Sequence, residues 1–136
     1  MAGITKGEIM RGKKNDLPVT QEANGVISRE TRWGDMASSF DTMPKGLDMA
    51  SMLKGLPDDA CQCPHWGYLT KGRMRVRYTD GTEETVNEGD AFYMRPGHVP
   101  YIEEAVEWVM FSPPDKIKET RDAIARNAES RKERAA

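Results

Sequence analysis

Histidine and cysteine are scarce in this chain of 136 residues, with two of each: His65 and His98, Cys61 and Cys63. Two cysteines two positions apart cannot staple a disulfide framework, which excludes the small cystine-rich secreted scaffolds. No apolar run approaches the roughly 18 residues that a membrane-spanning helix needs. The opening residues, Met1 to Glu8, carry no apolar stretch of the kind a secretory signal requires, so a cytoplasmic protein is expected. Nor is there an excess of charge of one sign: 20 Lys and Arg stand against 22 Asp and Glu, a net charge of −2. That balance gives no electrostatic footprint for nucleic acid or an anionic membrane surface. What remains is a chain of single-domain length, long enough to bury a core unaided.

The chain divides into three parts. Residues 1–27 are polar and broken by glycine and proline, and read as an N-terminal arm. Residues 28–112 carry the strand signals. From Cys61 onward they are punctuated at short intervals by Lys71-Gly72, Asp80-Gly81, Glu88-Gly89-Asp90 and Pro96-Gly97. Several short strands at that spacing predict an all-β sandwich or barrel. Residues 113–136 follow a Pro113-Pro114 break and place Ile117, Ala123, Ile124, Ala125 and Ala128 among charges, the pattern of a C-terminal helix with a thin apolar stripe.

Lys71-Gly72 reads as a two-residue hairpin turn. That register pairs Leu69 with Met74, Gly67 with Val76 and His65 with Tyr78 on one face, and Tyr68 with Arg75 and Trp66 with Arg77 on the other. The apolar face goes inward. His65 then points into the interior, and Cys63 and Cys61 follow if the strand stays regular upstream. Thiolate and imidazole at i, i+2 and i+4 are good ligands for zinc, copper or ferrous iron, and Asp58 and Asp59 just before could add oxygen. The plainer reading is that buried cysteines only fill space. His98 sits in Arg95-Pro96-Gly97-His98-Val99-Pro100, a tight turn at a strand end, where binding groups concentrate. The nine methionines are spread along the sequence and read as core filler rather than a copper-binding cluster.

Cys63-Pro64-His65-Trp66-Gly67-Tyr68-Leu69-Thr70-Lys71-Gly72 and Gly89-Asp90-Ala91-Phe92-Tyr93-Met94-Arg95-Pro96-Gly97-His98 together resemble the two motifs of the cupin superfamily. The resemblance spans about residues 40–112 and is nearest to small single-domain bacterial cupins of unassigned function. It implies a double-stranded β-helix, or jelly-roll barrel, enclosing a site for a divalent metal. The usual ligands are two histidines and a glutamate in the first motif and a histidine in the second. Counting back from Gly72, the glutamate position holds His65, and the paired histidine positions fall on Asp59 and Cys61 with a three-residue spacer or on Asp58 and Ala60 with a four-residue one. The histidine position of the second motif holds Pro100, with His98 two residues earlier. The metal set implied here is drawn from Asp59, Cys61, Cys63, His65 and His98, with Zn, Fe, Mn or Ni as the candidate ions.

Two function classes follow. One is a binding module holding a divalent metal or a small molecule inside the barrel, with His65, His98, Tyr78, Tyr93, Tyr101 and Trp108 shaping the site. The alternative is a metal-dependent enzyme of the oxygenase or isomerase type using the same site. The resemblance also implies a homodimer, and the Trp66/Tyr68 face together with the arm supplies the aromatic residue types enriched at interfaces.

Overall fold

The computed structural model describes residues 9–135. Seven strands form one bent antiparallel sheet: β1 (Val19–Ala23), β2 (Val26–Trp33), β3 (Met36–Met43), β4 (His65–Tyr78), β5 (Glu83–Asn87), β6 (Ala91–Met94) and β7 (His98–Ser112). The order is β1-β2-β3-β7-β4-β5, with β6 also paired to β4. Helix α1 (Pro114–Ala135) follows at once. Residues 1–8 of the expected arm lie outside the described residues; of its remainder, Val19–Ala23 pair with β2 as an edge strand.

β4 and β7 are long because each serves two sheet halves. The first part of β4, His65–Tyr68, lies between β6 and the end of β7. The second part, Arg73–Arg77, lies between β5 and the start of β7. Between them the register slips three times from Leu69 to Met74. Lys71-Gly72 is therefore a bulged bend inside one strand and not a hairpin turn. Such a bulge adds residues to one side of the pair, increases the local twist and folds the sheet back on itself. It also shifts side-chain parity, as the expected turn would. His65, Leu69, Met74 and Val76 accordingly all face inward, while Trp66 and Tyr68 face out. The expected cross-strand partners differ: Trp66 lies opposite Tyr93 and Phe111, and Tyr78 lies opposite His98.

Gly72 makes the bend possible. Its φ is +93°, and a Cβ there would run into the backbone of Ala105 on β7. Gly72→Ala is expected to destabilise the fold by about 2–4 kcal/mol, combining left-handed strain with a backbone clash. Urea unfolding checks this; a loss under 1 kcal/mol would mean the bend re-forms without a glycine.

The core fills the space between the two sheet halves with Leu69, Met74, Val76, Ile102, Val106, Trp108 and Met110. Helix α1 closes the remaining side. Ile117, Thr120, Ala123 and Ile124 are its buried face, whereas Ala125 of the expected stripe is exposed. Asn127 Nδ2 donates to the carbonyls of Met52 and Lys54, and Gln21 Nε2 donates to the Arg121 carbonyl, so both ends of the contact are tied. No helix of the described residues is long and apolar enough to cross a membrane.

Candidate metal centre

Three segments converge inside the barrel. His65 opens β4 and His98 opens β7, one from each half of the bent sheet. Cys61 reaches them through an isolated bridge: its N–H donates to the His98 carbonyl at 3.0 Å, and its carbonyl accepts from Gly97 N–H at 2.8 Å. The thiol sulfur and one nitrogen of each imidazole all lie within 4.8 Å of one another, and all three residues are buried. Cys61 Sγ is 3.5 Å from His65 Nε2, and the two rings meet edge to face with centroids 4.9 Å apart.

The surrounding hydrogen bonds orient these donors. His98 Nδ1 is 2.7 Å from the Arg95 carbonyl. A carbonyl only accepts, so Nδ1 carries the proton and Nε2 keeps its lone pair free. His65 Nδ1 is 2.8 Å from Ser112 Oγ, which leaves Nε2 turned toward Cys61. Thr120 Oγ1, delivered by α1, lies 3.2 Å from Cys61 Sγ and can donate to a thiolate. Partners of this kind behind a donor hold it in place and, for an imidazole, set its tautomer, as they do at metal-binding histidines generally.

Burial keeps the site uncharged. It lowers His65 well below the ordinary histidine range, with His98 and Arg121 adding to the effect. It lowers His98 to about 4 and raises the Cys61 thiol, against the opposing hydrogen bond from Thr120. The unfolded chain therefore binds protons on these imidazoles that the native state refuses. Stability of the metal-free protein is expected to fall as pH drops from about 6.5 toward 4, by about 3 kcal/mol for His98 alone. Urea midpoints at pH 7 and pH 4.5 measure it; equal midpoints would show that water reaches both rings.

The other residues singled out from the sequence fall in different places. Cys63 is buried and free, as is Cys61, but its sulfur is outside the donor group, with Ser112 as its side-chain partner; burial and the neighbouring Cys61 push its thiol up to about 12. Asp59 is exposed and its Oδ1 accepts from Gly55 N–H. Trp108 lines the interior and donates from Nε1 to Asp41 Oδ2 at 2.7 Å. Tyr78 lies beneath the Arg95 guanidinium and Tyr101 beneath that of Arg75. Tyr93 stands on the outer face against Trp66.

The cavity also gathers residues that no local pattern marked. Its wall includes Met43, Met49, Met52, Met94 and Met110, scattered in sequence but neighbours in space. Asp41, 2% exposed, and Arg121 form its polar side. Only the β4–β6 register would have announced Met94, which lies directly opposite His65.

No family model matches the chain, and no curated protein matches its sequence. Solved structures do match. An RmlC-like cupin from Shewanella frigidimarina NCIMB 400 aligns at a TM-score of 0.56 with 14% identity, covering 78% of this chain and 92% of that one. Oxalate decarboxylase of Bacillus subtilis aligns at 0.55 with 20% identity over 82% of this chain, which spans only 31% of that enzyme. The iron(II) form of HppE aligns at 0.57 with 6% identity, covering 82% of this chain and 63% of that one. The chain has the cupin fold, a jelly-roll barrel with a C-terminal helix, as its two motifs implied.

Proposed function

We propose that this protein binds a transition-metal ion on Cys61, His65 and His98 and offers it to a small molecule within the barrel. The observation that carries the reading is the convergence of three buried donor atoms from three separate segments within 4.8 Å. The residues suit such an ion. A thiolate and two neutral imidazoles are a common set for Zn, Fe or Cu. Among the described residues no carboxylate joins the group. The ion would supply a Lewis-acid or redox centre. The chain's own part is to hold the imidazoles neutral, cap the thiolate with Thr120, and surround both with apolar side chains. Elemental analysis of untagged protein purified without chelator tests the reading. About one equivalent of transition metal, lost in a His65→Ala/His98→Ala variant, is expected; full retention in that variant would overturn it.

The second reading is a metal-dependent enzyme at the same site. It is favoured by Asp41, which lines the cavity and whose buried Oδ1 accepts no hydrogen bond from the described residues. A substrate hydroxyl or amine could donate to it. Oxygen uptake by the metal-loaded protein in the presence of candidate hydroxy acids, abolished in Asp41→Asn, is the corresponding test.

We further propose a homodimer through the outer face of β6, β4 and β7. Trp66, Tyr68, Tyr93 and Phe111 are each 38–49% exposed there, and Tyr93, Trp66 and Phe111 form one row across the three strands. An apolar row of this kind marks an interface more often than a free surface. The double variant Trp66→Arg/Tyr93→Arg is expected to halve the mass seen by light scattering; an unchanged mass would place the contact elsewhere.

A further inference from the structure

We infer that the centre is built for copper, with the Met94 thioether as a fourth ligand beside Cys61, His65 and His98. The inference rests on the metal-centre reading above and adds a donor atom and a choice of ion.

Met94 lies directly opposite His65 in the β4–β6 pair. Side chains directly opposite in an antiparallel pair share a face, with Cβ atoms roughly 4.5–5.5 Å apart. His65 faces the interior, so Met94 does too; it is 2% exposed and lines the same cavity as Cys61 and His98. An unbranched side chain with three rotatable bonds can swing its sulfur toward the imidazole it faces. The resulting set is one thiolate, one thioether and two imidazoles. Soft sulfur donors favour copper, and two histidines with a cysteine and a methionine form the donor set of copper electron-transfer sites.

Oxygen-preferring ions find less here. The carboxylate of the cavity wall, Asp41, is outside the donor group: its Oδ2 accepts from Trp108 Nε1 at 2.7 Å and from Ser39 Oγ at 2.8 Å, and its Oδ1 is ion-paired with Arg121 Nη2 at 3.6 Å. Asp59 is exposed and accepts from the Gly55 backbone. Mn and Mg, which depend on carboxylate and carbonyl oxygen, lack a purchase. The remaining wall methionines, Met43, Met49, Met52 and Met110, keep the surroundings apolar, which suits a reduced, singly charged ion.

The test has two parts, both on the full chain. First, apo-protein is titrated anaerobically with Cu(I) against a colorimetric Cu(I) chelator, and separately with Zn(II) and Co(II). One equivalent of Cu(I), held more tightly than Zn(II), is expected. Met94→Leu should weaken Cu(I) roughly tenfold and leave Zn(II) within about twofold. Second, wild-type protein carrying selenomethionine is loaded with Cu(I) and examined at the copper K-edge. A copper–selenium path is expected, and it should vanish in Met94→Leu. Absence of the path on the wild-type fold overturns the role of Met94 even if the variant does not fold.

The failures separate. If Zn(II) or Co(II) binds one-to-one through Cys61 while Cu(I) binds no more tightly, the choice of copper is overturned and the metal centre stands. If Cu(I) binds without a copper–selenium path, or the path persists in Met94→Leu, the role of Met94 is overturned. If none of the three ions binds stoichiometrically, the metal centre itself falls.

Discussion

Cys61→Ser is expected to abolish stoichiometric binding of thiophilic ions, lowering zinc affinity at pH 7.5 by at least about 100-fold. Among the described residues the sulfur is the only anionic donor in the group, because both imidazoles are held neutral and no carboxylate joins it. Serine keeps the size and the hydrogen bond with Thr120 but stays protonated, so the ion would enter a buried site with its charge uncompensated. The pH dependence follows from the same groups. Burial raises the Cys61 thiol, so it is protonated at neutral pH and must release its proton when the ion binds. Above about pH 5 the histidines contribute no further proton, so wild-type affinity should rise about tenfold per pH unit up to pH 8. Cys61→Ser should show no such slope. Competition against a chelator of known affinity, repeated from pH 5.5 to 8, measures both effects. Retained affinity with an unchanged slope in the serine variant would place the anionic ligand elsewhere.

The inward placement of His65 was legible in sequence because it follows from period-two alternation anchored by Leu69, Met74 and Val76. The misread turn at Lys71-Gly72 did no damage there, since a bulge and a two-residue hairpin shift parity alike. Upstream of His65 the same reasoning fails. Asp58 and Asp59 adopt φ near +57° and +53°, consecutive left-handed residues that no strand can contain. Residues 62–64 also lie outside β4, so Cys61 is positioned by its bridge to His98 rather than by alternation; Asp59 is left exposed, and Cys63 is buried as expected but stays outside the donor group. The methionines show the other limit. Distance along the chain says nothing about distance in a jelly roll, where β3, β4, β6 and β7 meet around one space. Met94 becomes visible only once β6 is known to pair with β4. Thr120 and Arg121 belong to a helix whose stripe was legible but whose docking surface was not.

That docking surface carries the largest stability effect we expect. Arg121 is the polar anchor of α1 on the barrel. Its Nε donates to Glu30 at 2.8 Å, its Nη1 donates to Ser28 Oγ at 3.0 Å, and its Nη2 lies 3.6 Å from Asp41 Oδ1. Asp41 is 2% exposed, and the guanidinium is its one cationic partner among the described residues. Trp108 and Ser39 satisfy Oδ2 alone. Arg121→Met would keep the stem against the barrel and strand the carboxylate in an apolar interior. Removing one partner of a buried pair leaves an uncompensated charge, and the expected cost is about 3–5 kcal/mol. Asp41→Asn should cost less, because the neutral amide keeps the hydrogen bond from Trp108 and Arg121 keeps Glu30. In the Asp41→Asn background, Arg121→Met should then cost only about 1–2 kcal/mol, since no buried charge is left behind. A double-mutant cycle by urea unfolding measures the coupling. If Arg121→Met costs the same in both backgrounds, the helix is held by Glu30 and Ser28 and the buried carboxylate is indifferent to it. If the coupling is present, α1 is locked over the cavity by the same charge that lines it, and the fit of the helix and the polarity of the site cannot be altered separately.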